Sequence, residues 1–245
     1  TPQNLADVFE DHKLTYSELN ARSNQVAHYL QKLGVKPEAL VGIYMERSLD
    51  TIVALQAILK AGGAYLQLDP ALPEAALAYR LQDAGVSILL TQQSLVAKTP
   101  DNIAKIVCLD AQRELINREN PEDIPTTVLP ENLVYAIYTS GSTGKAKAVA
   151  IEHRQLVNYI YAILDRLNLP KGASFATVST FAADLGNTVI FPSLSTGGCL
   201  HIIPQETASD PQALADYFQR YPIDCLKIVP SHLTALLTAS STASI

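Results

Sequence analysis

From Thr15 onward, the run TYSELNARSNQVAHYLQKLG sets Leu19, Val26, Leu30 and Leu33 on one helical face. Thr15 and Glu18 have capping-box spacing and Gly34 supplies a stop, so this run predicts a helix. Short apolar runs then alternate with amphipathic ones. LVGIYM (40–45) reads as a buried strand, TIVALQAILKA as a helix, AYLQL as a strand and PEAALAYRLQDAG as a helix ending at Gly85. The alternation continues through VSILLT, KIVCLD, LVYAIYT and KAVAIE, a helix from His153 to about Leu167, and strands near CLHII and DCLKIV. Apolar strands separated by helices predict an α/β fold, with mostly parallel sheets and helices on both faces. No internal repeat is visible. Charge and Pro121, Pro125 and Pro130 accumulate between residues 110 and 131, which marks that stretch as the least ordered and as a candidate subdomain connection. The final TASSTASI offers small polar residues and no clear element, which predicts a truncated chain.

Composition narrows the classes. With 245 residues, 48% hydrophobic and 17% charged, the chain can bury a large core, and extended disorder is not expected. A net charge of -6 without a Lys/Arg cluster argues against nucleic acid and against an anionic membrane surface. Cys108, Cys199 and Cys225 are odd in number and set in apolar runs, as expected of buried thiols in a reducing compartment. The N-terminus TPQNLADVFEDHKL lacks a basic segment followed by an apolar one, and no apolar stretch reaches membrane-spanning length. A soluble cytoplasmic protein is the expectation.

The strongest chemical signal is YTSGSTGKAKAV, residues 138–149, where an apolar strand runs into hydroxyl residues, glycines and lysines. Gly141 and Gly144 allow tight turns that present backbone N–H groups. Thr139, Ser140, Ser142 and Thr143 add hydroxyls, and Lys145 and Lys147 offset phosphate charge. The competing reading is a hydrophilic hairpin loop between two strands. A Walker P-loop is excluded, because Thr139 stands where its first Gly is required and Ala146 follows Lys145. A dinucleotide fingerprint fails on spacing and on the strand-like KAKAVAIE that follows.

This segment resembles the phosphate-loop signature of the adenylate-forming superfamily, written YTSGTTGKPKGV in peptide synthetases, and matches nine of its twelve positions. The departures are Ser142 for Thr, Ala146 for Pro and Ala148 for Gly. LTYSELN (14–20) and LKAGGAYLQLDP (59–70) resemble two earlier signatures of the same family; in the second, Gln67 stands where Pro is usual, and the helix after Pro73 is Ala-rich where an Arg is common. The resemblance implies that residues 1–245 are a partial adenylation domain, the large N-terminal subdomain, incomplete. It further implies ATP and Mg²⁺ as requirements. The partners it implies are an amino acid, a carrier-protein domain bearing phosphopantetheine and a condensation domain of the same synthetase. Adenine, magnesium and ribose contacts and the catalytic Lys are expected beyond Ile245.

The family holds the substrate ammonium with a carboxylate that usually follows Phe. Here the region reads FAADLGNTVIFPSLSTGG, and Asp184 lies 12 residues before Thr196-Gly197, the expected spacing, with Ala183 in place of the Phe. An ammonium leaving water needs a compensating anion, which is the physical reason for the Asp. The alternative is a helix N-cap. Carried forward without gaps, the resemblance puts Leu185, Thr188 and Lys227 on pocket-lining positions. Strand alternation groups Cys225, Lys227 and Val229, so Lys227 needs an anionic partner or a snorkelling path to water. Asp, Leu, Thr and Lys resemble the family's pockets for aspartate or asparagine.

His153 and His232 stand at helix starts, where capping competes with a phosphate or acid/base role. Five histidines without paired spacing give no zinc site. Two alternatives accompany amino-acid activation: acyl-CoA-ligase-like activation of an α-keto, α-hydroxy or aryl acid, and a non-catalytic nucleotide-binding fragment.

Overall fold

The computed structural model describes residues 1–101, 105–140 and 145–242. The chain separates into two compact units, one of residues 17–159 and one of residues 1–16 with 160–245.

The 17–159 unit contains α1 (Tyr16–Lys32, from its second residue), β3 (Leu40–Tyr44), α2 (Leu49–Ala61), β4 (Ala64–Leu68), α3 (Glu74–Asp83), β5 (Ile88–Thr91), β6 (Lys105–Cys108), α4 (Arg113–Ile116), β7 (Leu133–Thr139) and β8 (Lys147–Glu152). Its sheet runs β6-β5-β3-β4-β7-β8, parallel throughout except for the antiparallel pair β7–β8. Parallel strands buried on both faces need continuous apolar sequence. LVGIY, AYLQL and ILLT are buried along nearly their whole lengths. Leu77 and Leu81 of α3 pack on Tyr44, Leu66, Leu68 and Leu89. Gly42 permits that close approach, since a Cβ there would fall 2.6 Å from Leu89. Helix α2 ends at Gly62, whose φ of 95° is a left-handed conformation that favours glycine.

Residues 110–131, the candidate connection, fall inside this unit; the unit boundaries lie at 16/17 and 159/160. The stretch is bound to α1 by side chains. Buried Asn24 donates to the Pro121 carbonyl at 2.7 Å and to Asp123 Oδ1 at 3.0 Å, and Asn20 donates to the same oxygen at 2.8 Å. Lys32 pairs with Glu119 at 2.7 Å. The amide donors draw the Asp123 pKa below its ordinary value, Asn20 foremost.

The other unit holds β1 (Leu5–Phe9), β2 (His12–Thr15), β9 (Ser174–Thr177), α6 (Asn187–Thr196), β10 (Cys199–Ile202), α7 (Gln205–Ser209), α8 (Pro211–Arg220), β11 (Cys225–Lys227) and α9 (Pro230–Thr242); α5 (His153–Leu167) carries the chain into it. Its sheet runs β11-β9-β10-β1-β2, parallel apart from the β1–β2 hairpin. Helix α6 packs on β9, β10 and β11. Ladder partners share a face, so Phe175, Leu200, Asp7 and Leu14 form one row across the sheet. Asp7 is fully buried, and neither carboxylate oxygen has a partner among the described residues. Burial pushes its pKa up to about 8.

Candidate phosphate loop and acid-binding residues

The phosphate-loop candidates sit on the β7–β8 hairpin. Antiparallel pairing sets Thr139 opposite Lys147 and Tyr138 opposite Ala148, so the two ends of the loop leave the sheet side by side. Thr139, Ser140, Lys145 and Lys147 are exposed there. Gly141, Ser142, Thr143 and Gly144 lie outside the described residues.

Helix α3 grips both ends of this hairpin. On the entering strand, Tyr138 donates its hydroxyl to Asp83 Oδ2 at 2.6 Å, lies 3.2 Å from the Arg80 carbonyl, and has the Arg80 guanidinium 5.3 Å above its ring. The single hydroxyl proton belongs to the short bond to the carboxylate. On the leaving side, Tyr79 donates to the Ala146 carbonyl at 3.2 Å, and its ring meets Tyr138 edge-on with centroids 6.4 Å apart. Burial, then Asp83, holds the Tyr138 phenol well above its ordinary pKa. Tyr79 and Asp83, one turn apart on a helix, share a face in sequence, yet their partners stand 67 and 55 residues away. Reading α3 as an amphipathic helix could not find them.

The acid-binding candidates belong to the other unit. Asp184 opens a short 3₁₀ turn (Asp184–Gly186) that leads straight into α6. The N-cap positions of the turn and of α6 fall on Ala183 and Gly186, so Asp184 is not the capping residue. It is exposed and makes no hydrogen bond or ion pair among the described residues. Leu185 is half-buried and Thr188 buried. Lys227 is the register partner of Thr177 in the parallel pair β11–β9. A Cβ built on Gly186 would stand 3.8 Å from Thr177 Oγ1, so this sheet face carries the turn and α6. Lys227 thus shares a face with the segment containing Asp184, Leu185 and Thr188. It is half-buried and has no hydrogen bond or ion pair among the described residues.

The remaining candidates have structural partners or none. His232 Nε2 lies 2.8 Å from the Ala208 carbonyl, tying α9 to α7. The His153 backbone N–H donates to Asn132; its Nε2 is buried without a partner among the described residues, and burial lowers its pKa. A cavity of about 510 Å³ lined by Val8, Lys13, Cys199, His201 and Tyr221 opens on the sheet face opposite Thr177 and Lys227. All three cysteines are unpaired, and burial pushes the Cys199 thiol up to about 11. Among the described residues no cluster of His, Cys, Asp or Glu could hold a metal ion, and no helix is long and apolar enough to cross a membrane.

Comparison with known proteins supplies the context. The family model described as AMP-binding enzyme matches residues 1–244. The chain is 40% identical over 226 residues to gramicidin S synthase 2 of Brevibacillus brevis, covering 92% of this chain and 5% of that protein. It is 36% identical over 244 residues to surfactin synthase subunit 2 of Bacillus subtilis (strain 168), covering 99% of this chain and 7% of the relative. Among solved structures, the AMPPNP-bound form of the non-ribosomal peptide synthetase FmoA3 superposes with a TM-score of 0.88 at 26% identity, covering all of this chain and 26% of that one. The α-methyl-L-serine-AMP-bound form of FmoA3 gives the same TM-score, with 27% of that chain covered. The chain thus spans a small fraction of each relative's length.

Proposed function

The chain belongs to the AMP-binding enzyme family, and on that premise we propose that the protein carrying it activates an amino acid with ATP in a non-ribosomal peptide synthetase. The carboxylate oxygen of the amino acid attacks the α-phosphorus, forming the acyl–O–P bond of the adenylate, while the bond to the β-phosphate breaks and pyrophosphate leaves. A phosphopantetheine thiol on a carrier domain then displaces AMP from the carbonyl.

The observation that carries this reading is the β7–β8 hairpin, whose exposed Thr139, Ser140, Lys145 and Lys147 bracket a glycine- and hydroxyl-rich loop. Lys145 and Lys147 neutralise triphosphate charge, and the hydroxyls of Thr139, Ser140, Ser142 and Thr143 with the N–H groups of Gly141 and Gly144 bind its oxygens. Magnesium accompanies the triphosphate as counter-ion. The AMPPNP and aminoacyl-AMP in the similar FmoA3 structures support the same chemistry. Three unpaired thiols, Cys108 buried and Cys199 and Cys225 half-buried, support a cytoplasmic setting.

For the acid, Asp184 pairs with the α-ammonium, and Lys227 and Thr188 meet a short acidic or amide side chain, with Leu185 lining the pocket. A half-buried lysine with no hydrogen bond or ion pair among the described residues supports aspartate or asparagine. ATP–pyrophosphate exchange by the intact enzyme over a panel of acids tests the proposal. Exchange with aspartate or asparagine is expected. Preference for an α-keto, α-hydroxy or aryl acid would overturn the pocket assignment, and no exchange with any acid would overturn activation itself.

A further inference from the structure

The α3 contacts go beyond packing, since they fall on the two strand ends that deliver the loop's hydroxyls and lysines. Tyr138 immediately precedes Thr139 and Ser140, and Ala146 lies between Lys145 and Lys147. Asp83 holds the first of these ends and Tyr79 the second, through side chains one turn apart on the same helix. The ring-to-ring contact of Tyr79 with Tyr138 couples the two anchors, and Arg80 stacks over the Tyr138 ring from the same turn. Helix α3 is itself fixed by Leu77 and Leu81, both buried against the strands of the sheet. A rigid element therefore sets where both ends stand, and phosphate binding depends on placing several weak donors and two cations together.

We infer that Tyr79 and Asp83 are positioning residues for ATP: they set the spacing and orientation of the two loop ends, and so the productive placement of the triphosphate, without touching it. The inference rests on the phosphate reading of the loop. It assigns no role to the amino-acid pocket, which belongs to another unit of the chain, and this separates it from a general packing role.

The test is steady-state ATP–pyrophosphate exchange by the intact enzyme carrying Tyr79→Phe, Asp83→Ala, Asp83→Asn or Lys145→Ala, with melting temperatures measured alongside. Tyr79→Phe and Asp83→Ala should each raise the KM for ATP by roughly three- to tenfold, about what one hydrogen bond contributes. The KM for the amino acid should stay within about twofold, since the hydrogen bond removed is not part of that pocket. Asp83→Asn keeps an acceptor for the Tyr138 hydroxyl and should recover most of the ATP affinity lost in Asp83→Ala. Equal losses for ATP and amino acid that track a fall in melting temperature would overturn the inference, as would failure of Asn to rescue. If Lys145→Ala weakens ATP use while Tyr79→Phe and Asp83→Ala leave it unchanged, the loop reading stands and the positioning role falls. If Lys145→Ala also leaves ATP use unchanged, the loop reading falls and takes the inference with it.

Discussion

Lys227 and Thr177 are register partners across the parallel strands β11 and β9, and this pairing puts the lysine on the face that carries Gly186 and α6. Replacing Lys227 with Met keeps much of the volume and removes the cation. In the intact enzyme it should cost aspartate or asparagine activation about 2–4 kcal/mol in kcat/KM, while apolar amino acids are spared. A wild-type preference for a large aromatic acid, with Lys227→Met indifferent, would refute the assignment.

Asp184 should act at the other end of the substrate. Asp184→Ala is expected to depress exchange with every amino acid and to leave any residual activity toward acids lacking an amino group, because only the ammonium needs the carboxylate. Matched substrate pairs, amino acid against the corresponding hydroxy acid, give the comparison. Equal losses for both members of a pair would count against the role.

On the proposed phosphate reading, Lys145→Ala should weaken ATP use more than amino-acid use, since the exposed lysine would then serve the polyphosphate and not the acid. The expected signature is a raised KM for ATP with the amino-acid KM unchanged. An unaltered ATP profile would remove Lys145 from the phosphate site.

Much of the fold was legible in the sequence because parallel strands covered on both faces must be continuously apolar, as LVGIY and AYLQL are. The hairpin of β1 and β2 was not. In LADVF a carboxylate stands at a buried position, and an Asp there reads as a loop residue until its row partners Leu200 and Leu14 are known. Residues 110–131 read as loose for a related reason: their carbonyls and charges are satisfied by Asn20, Asn24 and Lys32, far away in sequence. The loop composition could be read locally and the acid-binding candidates followed from the family resemblance, whereas Tyr79 and Asp83 could not be named, because their partners come from another strand pair.

Asp7 makes stability depend on pH in a definite direction. Its folded pKa near 8 exceeds the ordinary 3.8, so the folded chain holds the proton more tightly than the unfolded chain. Stability contributed at this site is full below about pH 4 and falls as pH rises toward 8, by up to about 1.4 kcal/mol per unit within that window. Melting curves of wild type and Asp7→Asn between pH 5 and 9 should therefore diverge, with the wild type losing ground as pH rises. Parallel curves would contradict the burial of a carboxylate that has no hydrogen-bond partner among the described residues.

Gly198 tests the packing at the start of β10. A Cβ there would stand 2.5 Å from the Ala173 carbonyl oxygen and 2.9 Å from the Phe175 ring, and the backbone atom cannot swing aside. Gly198→Ala should cost about 1–3 kcal/mol and lower the melting temperature by several degrees. An unchanged melting temperature would show that this corner of the sheet yields freely.

The unit assembled from residues 1–16 and 160–245 has a consequence for synthesis. Strand β1 leaves the ribosome well before its partner β10, whose residues Cys199–Ile202 follow the whole of the contiguous 17–159 unit. The intervening unit can close on itself first, while the β1–β2 hairpin waits with one edge unpaired. In the folded unit Ala6 and Val8 of this strand are buried. Pairing of the open β1 edge is thus a long-range step that must wait for residues 199–202, whereas the contiguous unit needs none of them.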